Sequence, residues 1–89
     1  MNRAEFEQQL KSDGFTAIET KDYTPRPAND AHGHEFSVRG LVLEGTFTVV
    51  RDSQHVTYRS GQVFDVAAGV PHSEEIGLEG ARVLVGRKY

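Results

Sequence analysis

The sequence contains no cysteine and no tryptophan. Without cysteine, disulfides and thiolate metal sites are excluded, so any metal must be held by histidine and carboxylates. Long hydrophobic runs are also missing. None approaches the roughly 18 apolar residues that a membrane-crossing helix needs. The opening stretch MNRAEFEQQLKSDG is charged and has no apolar segment of the kind a secretory signal requires. We therefore expect a cytoplasmic protein with no membrane partner, an expectation with which the lack of cysteine is compatible. Basic charge is sparse. Ten Lys and Arg stand against thirteen Asp and Glu, for a net charge of −3. The cations are scattered apart from the Arg87-Lys88 pair, so no basic stripe points to nucleic acid.

What is present fits one small domain. The chain has 89 residues, and a chain of this size buries only about 60–65% of the surface its unfolded form exposes, so its core is thin. Asn2 can cap a short helix, at about residues 2–13. Phe6 and Leu10 form its apolar stripe and Gly14 its stop. FTAIET, Phe15 to Thr20, alternates and carries β-branched residues, which predicts a strand. KDYTPRPANDA reads as a loop, because Pro25 and Pro27 remove two backbone donors. From His32 onward the pattern is all strand: HEFSVRGLVLEG runs through Gly45 into TFTVV. RDSQ is a hairpin turn, HVTYR the return strand, and SGQ a second turn before VFDV. After the corner AAGVP come HSEEI, a turn at GLEG, and ARVLVGRKY. Short strands with turn signals every eight to twelve residues predict an all-β sandwich or barrel at about 15–89.

His32 and His34 are half of the four histidines. In a strand, residues i and i+2 share a face, so both imidazoles point into one space. That face continues through Phe36, Val38, Gly40 and Val42, which are apolar or small and so look inward. Taken alone, this spacing fits solvated or backbone-bonded histidines better than a metal site. A second stretch, GQVFDVAAGVPH, sets Gly61, Gly69 and His72 at fixed offsets. His55, by contrast, has no partner at a helpful spacing and reads as exposed. Asp65 and Arg39 have outward parity, as do Glu35 and Glu75.

Together the two stretches resemble the cupin family. Its first motif runs glycine, five residues, His-x-His, three or four residues, glutamate, six residues, glycine; His32, His34 and Gly45 match. Its second runs glycine, five residues, proline, one residue, glycine, two residues, histidine, three residues, asparagine; Gly61, Gly69 and His72 match. The resemblance covers about residues 26 to 86. The family's leading glycine falls at Arg26, its proline at Ala67, its asparagine at Ile76 and its metal-binding glutamate at Val38. The sequence is similar to small cupins with HxHpF early (HGHEF here, with Glu35 at the proline place), LVLEG next, then PHxE and a terminal GR.

The resemblance implies a jelly-roll β-barrel with one short N-terminal helix. It also implies one divalent transition metal, Zn, Fe, Ni, Mn or Cu, on His32, His34 and His72. Glu74 has the parity of His72, and it substitutes for the carboxylate missing at Val38, either as a ligand or as a base beside the ion. Three functions follow as expectations. The first is a metal-dependent dioxygenase or isomerase acting on a small molecule in the barrel. The second is a non-catalytic module that binds or senses a small ligand, and the third a structural barrel without metal. Exposed strand edges and the thin core also lead us to expect a homodimer.

Overall fold

The computed structural model describes residues 1–28 and 31–89; the expected loop at 29 and 30 lies outside the described residues. Helix α1 (Arg3–Ser12) precedes five strands: β1 (Thr16–Tyr23), β2 (Ser37–Arg51), β3 (Gln54–Arg59), β4 (Val63–Val66) and β5 (Ser73–Lys88). The helix starts where the sequence predicts. The Asn2 side chain accepts from the Glu5 N–H at 2.9 Å, satisfying one of the free donors of the first turn. It ends at Gly14, whose φ of +85° suits a residue without Cβ.

The strands pair antiparallel throughout, in the order β1-β5-β2-β3 with β4 also on β2. The two long strands, β2 and β5, do most of the work, because each serves two sheet layers. The first half of β2 lies between β4 and the end of β5 (Val38 opposite Val66 and Arg87). Its second half lies between β3 and the start of β5 (Val49 opposite Val56 and Glu74). The layers meet at a corner where Gly45 and Gly80 have φ of +78° and +73°. A Cβ on Gly45 would stand 2.0 Å from the Gly80 carbonyl oxygen, so only glycine allows the two backbones to approach this closely. Between the layers lie Val42, Phe47, Val49, Phe64, Val66, Ile76, Val83 and Val85. This is the all-β jelly-roll architecture.

Alternation along β2 and β5 divides the core in two. Val42, Val83 and Val85 face inward, whereas Leu41 and Leu84 face outward and are equally buried. Phe6 and Leu10 of α1, both fully buried, cover them together with Phe15. The helix thus seals the flank of the barrel and leaves its mouth open.

Three local readings differ from the sequence expectation. GLEG does not separate two strands. β5 continues through it, and residues 77–80 bulge while the pairing resumes on either side, with Ile76 opposite Phe47 and Ala81 opposite Gly45. β1 runs on to Tyr23, three residues past the expected end, because Lys21, Asp22 and Tyr23 find partners in Val83, Arg82 and Ala81. His32 and His34 precede β2 rather than belonging to it. The RDSQ turn is a tight two-residue hairpin; Asp52 and Ser53 have φ of +48° and +65°, the pattern of a type I′ turn.

Candidate metal centre

His32 and His72 oppose each other in an isolated antiparallel bridge. The His32 N–H donates to the His72 carbonyl at 2.8 Å and the His72 N–H to the His32 carbonyl at 2.9 Å. Residues paired in this way carry their side chains on one face. His34 is held by a different clamp: its carbonyl accepts from the Gly69 N–H at 2.8 Å. Backbone pairing between two distant segments therefore brings the three rings together, and no continuous strand is needed. Ring centroids lie 5.0 Å apart for His32–His34, 4.6 Å for His32–His72 and 5.2 Å for His34–His72. One nitrogen from each ring falls within 4.8 Å of the others.

The chemistry of this donor set fits a metal. His72 is only 4% exposed, and its Nδ1 lies 3.0 Å from the Val70 carbonyl. That carbonyl can only accept, so the bond requires the proton on Nδ1 and leaves a lone pair on Nε2. Two donors bound at about 2.1 Å to one ion stand at most about 4.2 Å apart. Three donors on one ion stand closer still, about 3.0–3.6 Å apart, so nitrogens within 4.8 Å of one another would draw together by up to about 1–2 Å on binding it. The structure sets Glu74 beside them. Its Oε1 is 3.6 Å from His32 Nε2 and 3.9 Å from His72 Nε2, and its Oε2 is 3.7 Å from the Arg26 guanidinium. The carboxylate thus touches the histidines with one oxygen and a cation with the other. Burial, with His32 and His72 as neighbours, holds the His34 imidazole below the usual histidine range.

The rings stand against a cavity of about 210 Å³ whose walls include Val38, Phe47, Val49, Phe64 and Val66. Its polar groups are the histidines, Glu74, Lys21, Tyr23, Arg26 and Arg87. Burial and then the Glu74 charge push the Tyr23 phenol up, which keeps it a proton donor.

No family model matches the chain, and no curated protein does. Solved structures do. A cupin-2 domain protein from Shewanella frigidimarina NCIMB 400 superposes with a TM-score of 0.66 at 15% identity, over 100% of this chain and 95% of that one. A cupin protein from Bacteroides fragilis gives 0.64 at 11% identity, over 80% and 63%. The chain has the cupin fold. A structure of FeII HppE, similar at a TM-score of 0.64 and 24% identity, is matched over 76% of this chain and 40% of its own. The chain thus spans less than two thirds of the length of the latter two proteins.

Val38, where the sequence resemblance sets a glutamate, presents only an apolar side chain to the cavity. Glu74 approaches the histidines from β5 instead. His55 is exposed and pairs with Glu75 at 3.6 Å, and it does not belong to the three-histidine group. Glu35 is exposed. Sequence reasoning missed Lys21 and Tyr23, assigned to a loop, and Arg87, read as part of a terminal charge pair. The signal for Arg87 was available: it is two and four residues beyond the inward-facing Val85 and Val83.

Proposed function

We propose that this chain is a metal-dependent cupin that binds and transforms a small molecule, as a dioxygenase or isomerase. The observation that carries this reading is the gathering of three imidazoles, from two chain segments, at the wall of a mostly apolar cavity. His32, His34 and His72 would hold one divalent transition metal, with Glu74 completing or bordering its shell. Such an ion supplies Lewis-acid chemistry and, for iron or copper, redox chemistry. The chain's own part is to fix the imidazoles through backbone clamps, to exclude water with the valine and phenylalanine walls, and to offer polar groups at the mouth. The alternative, a module that binds the same molecule without turnover, uses the same residues. Elemental analysis of protein purified without added metal tests the first step. About one equivalent of a transition metal is expected, and background metal in both wild type and a triple alanine variant of the histidines would remove the reading. A substrate screen of the metal-loaded protein then separates the enzyme from the binding module.

The reading includes a homodimer in the cytoplasm. In support, strand β3 pairs among the described residues only with β2, and Val56 on it is 44% exposed. Light scattering at micromolar concentration should give about twice the 9.9 kDa chain mass; a monomer mass would count against it.

A further inference from the structure

We propose that the cavity receives a small organic carboxylate with an apolar body, and that Arg87 holds its carboxylate group. This deepens the metal-cupin reading by naming the class of ligand, and it rests on that reading only for the position of the ion. Among the described residues three cations line the cavity, Lys21, Arg26 and Arg87, against one carboxylate, Glu74. These four groups sum to 3 − 1 = +2. Two of the cations already have partners: Lys21 stands 3.4 Å from Glu19, and Arg26 stands 3.7 Å from Glu74. Among the described residues Arg87 has no carboxylate partner.

Arg87 is nonetheless built into the wall. It continues the inward face of Val83 and Val85, opposite Val38 of β2. Its guanidinium lies 4.6 Å from the centre of the Phe36 ring. Phe36 in turn stacks on His34 at 4.7 Å and 13°. A guanidinium held over an aromatic ring can still present its N–H fork, and that fork matches a carboxylate in two parallel hydrogen bonds. The positive balance disfavours a cationic ligand. A neutral ligand would leave the fork unmatched. The apolar walls call for a hydrocarbon body, and about 210 Å³ is below the size of a drug-sized pocket, so the body is short.

The test measures equilibrium binding by calorimetry and ligand-observed NMR. Benzoate, hexanoate and octanoate are compared with benzamide, hexanamide and octanamide. Zinc-loaded and chelator-treated protein are both used. The acids should bind at least about tenfold more tightly than their amides, since the amide loses a charge-assisted pair of bonds. Arg87→Gln should weaken the acids by about tenfold or more and leave the amides unchanged, and Arg87→Lys should restore part of the loss. Equal affinity for acid and amide, no effect of Arg87→Gln, or no binding of any acid would overturn the proposal. Binding that disappears on chelation but survives Arg87→Gln would place the anion on the metal, and would also overturn it. Binding that needs Arg87 in protein that takes up no metal would uphold the proposal while removing the metal reading.

Discussion

Two arginines occupy opposite faces of the same sheet, in adjacent register positions: Arg39 pairs with Gly86, and Arg87 with Val38. Each lies over a phenylalanine, Arg39 4.5 Å from the Phe15 ring centre and Arg87 4.6 Å from that of Phe36. Their surroundings differ in one respect. Arg39, on the outer face, is held by Asp65, with Nε 2.8 Å from Oδ1, and by Asp13 at the end of α1. These carboxylates raise its already high pKa further, the Asp65 hydrogen bond most of all. Arg87, on the inner face, has no such partner among the described residues. The outer arginine closes a structure, and its ion pairs tie the helix end to β2 and β4. The inner one faces the cavity, with its charge unmatched by any carboxylate among the described residues. One face of this sheet is sealed by the helix and the other opens onto the cavity, and experiments can separate what each contributes.

The largest expected effect is on the sealed face. Phe6 is fully buried against Leu10, Leu41 and Leu84, so Phe6→Ala should cost about 3–5 kcal/mol in urea unfolding. Its folded fraction should retain full metal content. Next comes His72→Ala, which removes a candidate ligand. It should weaken metal binding by at least about 100-fold with far less effect on unfolding of the metal-free protein. If stability and metal content moved together in both variants, the division between the faces would collapse. Glu74→Gln should weaken metal binding by about tenfold, whether the carboxylate binds the ion or braces it. Equal dissociation constants for wild type and variant would take Glu74 out of the site.

The two arginines give the sharper comparison at smaller magnitude. Arg39→Gln leaves Asp13 and Asp65 without their cation, and the side chain is 23% exposed, so a cost of about 1 kcal/mol is expected after solvent screening. Arg87→Gln breaks no ion pair and should change stability by less than about 0.5 kcal/mol. An equal loss in both would mean that Arg87 is structural after all.

How much of this could be read from the sequence depends on the range of the interaction responsible. Local signals were legible: Asn2 and Gly14 at the helix ends, Phe6 and Leu10 on its buried side, and the RDSQ turn. The inward parity of Phe36 and Val38 was legible as well. The gathering of the histidines is an expectation of the family resemblance, since strand parity alone favours a reading without metal, and its cause is long-range. His32 pairs with His72 and His34 with Gly69, and period-two reasoning does not detect contacts between segments forty residues apart. GLEG misled because a bulge and a turn have the same glycine-rich composition. The start of the KDYTPRPANDA loop was placed too early because Pro25 and Pro27 dominated the reading, while the strand pairing that holds Lys21 and Tyr23 comes from β5. As half of a terminal charge pair Arg87 draws no notice in the sequence; its parity with Val83 and Val85 is the one local signal, and the contact with Phe36, far away in sequence, is long-range.

The smallest expected effect concerns protons at the open face. Burial, followed by the neighbouring His32 and His72, lowers the His34 pKa. An unfolded histidine takes up a proton near pH 6.5, whereas folded His34 resists until a lower pH. Between those values the unfolded chain binds more protons, so stability rises with pH there. The contribution is present above about pH 6.5 and is lost as pH falls through the folded-state pKa. His34 is only partly buried, so the change should stay below about 1 kcal/mol. Urea unfolding of chelator-treated protein at pH 7.5 and at pH 5.5 would measure it, with His34→Gln as the reference. The wild type should lose more stability than the variant on acidification. Arg39 and its carboxylates on the sealed face offer an internal control, since Arg39→Gln should leave that difference intact. Identical losses in wild type and His34→Gln would show that the imidazole titrates as freely in the folded barrel as in the unfolded chain, and the open face would then be more solvated than its walls imply.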